Sequence, residues 1–295
     1  MSSLTTFVIN PAAGRGRVGQ MLQRIEAAIL QESSLADIRI AVTQAPGHGI
    51  EIARQAPAGS RVIAVGGDGT VHEVVRGLAG SDKALGVVPI GSGNDFARMV
   101  GLHRLNLSAA LRTALRGSIR SVDLGMVNNQ PYGASLGIGF DAAVARKALS
   151  APTFLRGMPR YLYSVFGVLK ALELPTLELI QNNRVIYQGR TLLVALMNAS
   201  TYGGGIPIVP DAQPNDGLIS TAVAGEFSRL GVVGILPRLL MGRHVHHPKL
   251  HFFQGTEFTV RFDRPVPAHS DGELIEPCHE YSVRMVAGGL RVIQP

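Results

Sequence analysis

Along the first third of the chain, short apolar runs alternate with stretches in which apolar residues recur every three or four positions. Phe7-Val8-Ile9, Arg39 to Thr43, Arg61 to Val65 and Leu85 to Pro89 read as strands, the third a run of the kind buried on both faces. Between them, Val18 to Leu30, Gly49 to Arg54 and Val71 to Leu78 carry helical spacing. Strands that alternate with helices predict a mainly parallel sheet covered on both sides.

From about Ser121 the pattern changes. Val122 to Val127, Gln130 to Leu136, Thr176 to Ile180, Arg184 to Tyr187, Thr191 to Met197, Leu218 to Ala222, Leu250 to Phe253, Glu257 to Phe262 and Tyr281 to Val286 are strand-like. Asn128-Asn129 and Asn182-Asn183 supply residues that tolerate the left-handed backbone of tight hairpins. Helical stretches at Arg160 to Leu172 and Arg229 to Met241 interrupt them. The expected organisation is an α/β domain over residues 1–122, a β-rich antiparallel domain over 123–287, and a segment 288–295 that returns to the first domain.

Composition narrows the classes. The 295 residues are 46% hydrophobic and 17% charged, enough apolar material for two cores and too little charge for a disordered chain. No apolar run reaches bilayer-spanning length, and Met1-Ser2-Ser3-Leu4-Thr5-Thr6 lacks the basic and apolar segments of a secretory signal. Cys278 is the single cysteine, which excludes a disulfide framework and a cysteine metal cluster. A cytoplasmic protein is expected. The net charge of +7 suits nucleic acid, anionic lipid or phosphorylated substrates as well as plain solubility. With no Trp, 5% aromatic residues and no recognition motif, nucleic acid is not the expected partner.

Three glycine-rich loops carry the chemistry. Asn10-Pro11-Ala12-Ala13-Gly14-Arg15-Gly16, Gly66-Gly67-Asp68-Gly69-Thr70 and Gly91-Ser92-Gly93-Asn94-Asp95 each follow a strand and lead towards a helix. Glycines let backbone N–H groups converge on phosphate, and helix N-termini add positive dipole ends. One such loop is an ordinary turn, whereas three in one domain point to a polyphosphate ligand. No Gly-x-x-x-x-Gly-Lys-[Ser/Thr] string occurs; Gly14-x-Gly16-x-x-Gly19 fits the dinucleotide fingerprint only as a string. Thr70-x-x-Glu73 has the form of a capping box. Asp68, set between glycines, is the carboxylate available to orient Mg²⁺ or nucleotide, or to accept a proton.

These loops, with Gly66-Gly-Asp-Gly-Thr-Val-His-Glu-Val74 and Gly91-Ser-Gly-Asn-Asp-Phe-Ala-Arg98 as the most specific strings, resemble the catalytic-domain signature of diacylglycerol kinases. Bacterial soluble lipid kinases and sphingosine kinases are relatives. Gly137-Ile-Gly-Phe-Asp-Ala142, Pro210-x-x-x-x-Asn215-Asp216-Gly217 and Asp271-Gly272-Glu273 resemble later signatures in the same order, so the likeness spans nearly the whole chain. Ser92 stands where Thr is common and His72 where Asn is frequent. The resemblance implies an N-terminal domain like those of NAD kinases and phosphofructokinases, and a cleft between two domains. It implies ATP and Mg²⁺, with the nucleotide lined by Asn10, Pro11, Ala12, Ala13, Gly14, Thr43, Gly66, Gly67, Asp68, Gly69, Thr70, Val71, His72 and Ser92. It places the general base in the Asp-Gly-Glu element without choosing between Asp271 and Glu273; Asp271 is expected slightly ahead because Leu274 beside Glu273 favours a strand, with Asp68 next. Gln213, Asp216 and Leu218 match a structural Mg²⁺ site, the outer two through backbone carbonyls.

The implied acceptor is a lipid hydroxyl; the alternatives are an NAD kinase-like enzyme and a silent nucleotide- or lipid-binding protein. His244, His246 and His247 lie among Arg243, Pro248 and Lys249 and read as a solvated basic loop rather than metal ligands. Tyr161, Leu162, Val165, Phe166, Leu169 and Leu172 form one apolar helix face, and Leu230, Val233, Leu236, Leu239 and Leu240 another. Such stripes are ordinarily core. Arg156, Arg160, Arg229, Arg238, Arg243 and Lys249 beside them allow peripheral contact with an anionic membrane, at its inner face.

Overall fold

The computed structural model describes residues 4–32, 38–152, 154–155 and 158–295. Met1 to Ser3 and Arg156 lie outside the described residues. The first half runs β1 (Thr5–Ile9), α1 (Arg17–Gln20), α2 (Leu22–Glu32), β2 (Ile38–Val42), α3 (His48–Gln55), β3 (Arg61–Gly66), α4 (Asp68–Leu78), β4 (Ala84–Pro89), α5 (Asp95–Met99) and α6 (Leu107–Arg116). The second half runs β5 (Ser118–Val127), β6 (Gln130–Tyr132), β7 (Ser135–Gly139), α7 (Phe140–Leu149), α8 (Met158–Lys170), β8 (Thr176–Gln181), β9 (Arg184–Arg190), β10 (Leu193–Met197), β11 (Thr201–Tyr202), β12 (Ile206–Pro207), β13 (Ile219–Ala224), α9 (Arg229–Leu240), β14 (Leu250–Gly255), β15 (Glu257–Ser270) and β16 (Glu273–Gln294).

Strands β2, β1, β3 and β4 pair in parallel, in that spatial order. Alternate residues feed two cores: Phe7, Ile9, Ile63 and Val65 pack on Ile25, Ile29 and Leu111, whereas Val8, Val62 and Ala64 pack on Val74, Val75 and Phe96. The second half is antiparallel. β14, β13, β10, β7, β15 and β16 follow one another across it, and Val194, Leu196, Ile138, Val260 and Val283 fill its core. β16 joins the two halves. After pairing with β15 it shifts register between Val286 and Leu290, where Gly288 has a φ of +61°, and Arg291 and Val292 then pair in parallel with Ala84 and Leu85 of β4.

The paired asparagines form two-residue hairpins, with φ of 46° and 64° at Asn128 and Asn129 and of 51° and 59° at Asn182 and Asn183. Three expectations are corrected. The helix read over Val18 to Leu30 is broken at Met21 into α1 and α2. The strand read over Gln130 to Leu136 is interrupted at Gly133-Ala134, because the Asp271 carboxylate takes the N–H groups of Gly133, Ala134 and Ser135. The capping box does not form. Gly67 is the N-cap of α4, and Glu73 instead accepts the N–H groups of Gly47 (2.7 Å) and Gly49 (2.9 Å) at the start of α3. Among the described residues, no helix is long and apolar enough to cross a membrane.

Asp123 on β5 ties three segments together. It is buried, and its carboxylate accepts N–H groups from Gly217 and Gly288, both at 2.7 Å. Its own N–H donates to the Pro214 carbonyl, and its carbonyl accepts the Asn198 side-chain amide. Asp123→Ala removes two part-buried hydrogen bonds to a charged acceptor, at about 1.5 kcal/mol each. A fall of roughly 3 kcal/mol in unfolding free energy is expected; an unchanged urea midpoint would show that this carboxylate contributes nothing.

Candidate active site

The three glycine loops meet at the ends of β1, β3 and β4. The second and third touch backbone to backbone: a Cβ on Gly91 would lie 2.5 Å from the Gly67 Cα, so no side chain fits at that approach. Ile90 donates its N–H to the Gly66 carbonyl at 2.7 Å. Asp68, in the first turn of α4, locks the pair, with Oδ2 accepting from Asn94 N–H (2.7 Å) and Oδ1 from Asp95 N–H (2.6 Å). Asp95 continues the chain of contacts into the second half, accepting the Gly204 N–H with both oxygens at 2.9 and 3.1 Å.

Burial pushes the Asp68 and Asp95 carboxyls up from the ordinary carboxylate range despite their backbone donors, and the negative charge of Asp68 raises Asp95 further. A positive charge near Asp68 and Asp95 would favour their ionised forms. Among the described residues, no group of three or more His, Cys, Asp or Glu side chains is placed to hold a metal. Mg²⁺ therefore suits this chain only with water and substrate phosphate completing its oxygen shell, its usual mode.

Asp271 is in the opposite condition. It has a φ of +49° at the turn between β15 and β16, and its carboxylate accepts Gly133 N–H (2.7 Å), Ala134 N–H (2.8 Å) and Ser135 N–H (3.0 Å). His72 Nδ1 lies 3.1 Å from Oδ2. Burial alone would raise this carboxyl, but His72 and the backbone donors outweigh it and hold the group below its ordinary value. Such a carboxylate is anchored by its donors. Glu273, two residues on, is exposed, and no hydrogen bond holds its carboxylate among the described residues. Its Oε1 lies 3.1 Å from where a Cβ on Gly69 would stand, so it faces the phosphate-type loop.

Asn10 to Gly14, Gly67 to Gly69 and Ser92 sit at least partly open at these loops. Asn10 Oδ1 accepts the Ala12 N–H at 3.0 Å and shapes the first turn. Thr43, Gly66, Thr70, Val71 and His72 are buried. The His72 ring meets Asp271 through Nδ1, and His72 lines the cavity together with Asp68 and Val71. Gln213, Asp216 and Leu218 belong to a separate loop, where Asp216 Oδ1 accepts the Leu218 N–H at 2.9 Å and the neighbouring Gly217 and Pro214 bond Asp123. His244 is buried, contrary to the solvated-loop expectation, and its Nε2 meets the Ile208 carbonyl at 2.9 Å.

An apolar cavity of about 570 Å³ opens beside the carboxylates. Its polar lining includes Arg15, Asp68, Ser92, Asp95, Asp271, Asp141 and His269, and Phe140, Val144, Leu193, Ile208, Ile235 and Leu239 supply apolar wall. Its outer walls come from α7, α8 and α9. Sequence reasoning missed α7, Asp95, and the trio Asp141, Tyr202 and His269 in the cavity wall. The hint for Asp95 was its place in the third glycine loop. Asp141 and His269 are 128 residues apart, and no local pattern joins them.

Residues 5–127 match the diacylglycerol kinase catalytic domain, and residues 134–294 match the YegS C-terminal NAD kinase beta sandwich-like domain. The chain is 28% identical over 280 residues to a diacylglycerol kinase of Bacillus subtilis, covering 90% of this chain and 88% of that relative. It is 31% identical over 299 residues to a probable lipid kinase YegS-like of Chromohalobacter salexigens, covering 95% and 91%. A crystal structure of a putative diacylglycerol kinase from Bacillus anthracis superposes with a TM-score of 0.78 at 21% identity, covering all of this chain and 95% of that one, which establishes the shared fold.

The depressed Asp271 carboxyl predicts a pH signature. A group easier to ionise folded than unfolded adds stability above its unfolded value of about 4 and loses it as the pH falls through the lower folded value. The stability gap between wild type and Asp271→Asn is therefore expected to be constant above about pH 4 and to narrow below it. Denaturant titrations from about pH 7 to about pH 3 check this; a gap that widens towards acid contradicts it.

Proposed function

The chain belongs to the diacylglycerol kinase catalytic-domain family, which makes it a lipid kinase by kinship, and on that premise we propose that it transfers the ATP γ-phosphate to a lipid hydroxyl held in the apolar cavity. The observation that carries this reading is the cavity itself: a largely apolar space of about 570 Å³ whose lining also takes in Arg15, Asp68, Ser92 and Asp95 of the glycine loops. An acyl chain would occupy the apolar part of this space, with the lipid's head-group hydroxyl towards the carboxylates.

Phosphoryl transfer rests on positioning and charge neutralisation. Asn10 to Gly14, Gly66 to Gly69 and Ser92 would cradle the nucleotide phosphates with backbone donors, the N-terminus of α4 adding its dipole. Thr43 and Thr70 are buried beside these loops, and Val71 and His72 line the cavity next to Asp68. Mg²⁺ neutralises phosphate charge when bound; Asp68 and Asp95 are the side chains that would hold it at the transfer site. Gln213, Asp216 and Leu218, with one carboxylate and backbone carbonyls, would hold a second, structural ion. Glu273 is the proton acceptor: its carboxylate is free and faces Gly69, whereas Asp271 is occupied by four donors.

The cavity also supports a membrane-facing role for its walls. Tyr161 of α8 and Ile235, Leu236 and Leu239 of α9 line it, while Phe166 of α8 and Leu230 of α9 are 50% and 84% exposed on the outside. Leu162, Val233 and Leu240 are also exposed, and Arg229, Arg238, Arg243 and Lys249 stand close by in sequence. Helices apolar on both sides, flanked by cations, suit peripheral docking on an anionic leaflet, through which a lipid would enter.

With labelled ATP, Mg²⁺ and a lipid panel, Glu273→Gln is expected to lower turnover roughly 10²-fold with ATP affinity nearly unchanged. Asp271→Asn is expected to lower activity through the mouth's geometry and to cost stability as well. Phosphorylated NAD with no lipid product would overturn the lipid reading, and normal turnover in Glu273→Gln would move the base to Asp68. Sedimentation with anionic vesicles should weaken as salt rises, because each docked Lys or Arg contributes on the order of 1 kcal/mol, screened within a Debye length. Equal binding to neutral and anionic vesicles contradicts charge-assisted docking.

A further inference from the structure

Of the three outer walls of the cavity, α9 is the least tightly held. Val232, Ile235, Leu236 and Leu239 line the cavity from this helix. Among the described residues of its 12, only Val232 is buried, whereas seven residues are buried in the 11-residue α4. Because Ile235, Leu236 and Leu239 border open space as well as packed side chains, moving the helix outward gives up little buried surface. Its sequence is also poor helix material. Gly231, Gly234 and Pro237 are of the two residue types least favourable to a helix interior. Pro237 has no N–H, so the Val233 carbonyl loses its intrahelical donor. Gly234 answers no packing demand: it is exposed, its backbone is helical, and a Cβ on it would meet nothing within 4 Å among the described residues.

The ends of α9 are fixed, unlike its middle. Ser228 Oγ accepts the Gly231 N–H at 3.1 Å, and the preceding Phe227 is buried and stacks on His247 with ring centroids 5.1 Å apart. Beyond the helix, Arg243 donates its N–H to the Arg238 carbonyl at 2.8 Å, and His244 is buried against the Ile208 carbonyl. The other two walls are clasped to each other. Arg160 of α8 donates through Nε to the Ala148 carbonyl of α7 at 3.0 Å, and Val165 and Leu169 pack with Phe140 and Val144.

We infer that α9 is the gate of the cavity: its stretch 231–237 unwinds locally between fixed ends and lets an acyl chain pass. The inference rests on the reading of the cavity as a lipid site. Elements that admit ligands are drawn from the low-stability end of a fold. Leu230, Val233 and Leu240, exposed on the outer side, offer the passing chain an apolar surface. Entry and exit cross the same open state, so stabilising the closed helix slows both by one factor. The dissociation constant compares the closed empty and closed loaded states, and stays where it was.

The test uses the intact chain, a fluorescent fatty acid as the probe and no ATP, with wild type, Gly234→Ala and Gly234→Ala/Pro237→Ala. Hydrogen exchange is expected to be faster in α9 than in α4. In Gly234→Ala it is expected to slow at α9 by about fivefold, and further in the double variant, with the rest of the chain unchanged. Stopped-flow uptake and release of the probe are expected to slow by the same factor, with Kd held within about twofold. A wild-type α9 as well protected as α4 overturns the inference, as does unchanged α9 exchange in both variants. Slower exchange with unaltered probe rates, or a slowing of release alone, does the same, and so does a wild type that takes up no probe. Phosphorylated product from the lipid panel is measured separately. Gated uptake with no such product overturns the kinase reading and leaves the gate standing, whereas product without the gating signature overturns the gate alone.

Discussion

The Asp271 carboxylate is the contact on which the arrangement of the site depends. Its two oxygens gather three consecutive N–H groups from Gly133, Ala134 and Ser135, and His72 of α4 closes the shell. The three amides belong to the break between β6 and β7, and His72 belongs to the helix whose N-terminus carries the second glycine loop. One buried charge therefore fixes the first half of the chain against the second at the mouth of the cavity. Such a charge is tolerated in a low-dielectric setting only because its acceptor capacity is filled, and its depressed pKa is the thermodynamic trace of that.

Asp68 and Asp95 provide the opposite environment a short way off. Each is pushed towards its neutral form by burial, and each also bridges backbone segments: Asp68 the second and third loops, Asp95 the third loop and Gly204. Carboxylates that are costly to ionise gain from a nearby cation, and here they stand where the glycine loops and an apolar cavity meet. The anchor, the cation-favouring pair and the free Glu273 thus differ in environment rather than in chemistry, which is how carboxylates on one fold come to serve different purposes.

The second half uses its apolar residues unusually. Val165 and Leu169 of α8 are buried, whereas Phe166 is half exposed, so the stripe expected to be ordinary core is divided between a packed face and an open one. α9 is divided in the same way, with Val232 buried and Leu230 almost fully exposed. Because those helices also wall the cavity, their composition serves neither a closed core nor a plain surface.

By itself, the sequence determined the parts whose physics is local. Apolar periodicity set the parallel strands of the first half, paired asparagines set two hairpins, and glycine after strand set the three loops, because backbone conformation and face burial are decided within a few residues. The family followed from strings in those loops and from Asp271-Gly272-Glu273. What the tertiary structure alone decided is which carboxylate carries which burden. Asp271 and Glu273 are two residues apart and alike on paper; one is enclosed by amides 136 to 138 residues away and the other is free. The capping box failed for the same reason, since Glu73 found stronger partners in Gly47 and Gly49, 26 and 24 residues distant. Asp141, Tyr202 and His269 meet only across α7, β11 and β15. Hydrogen bonding and desolvation act over ångströms in space, and a linear pattern holds no record of which distant donors arrive.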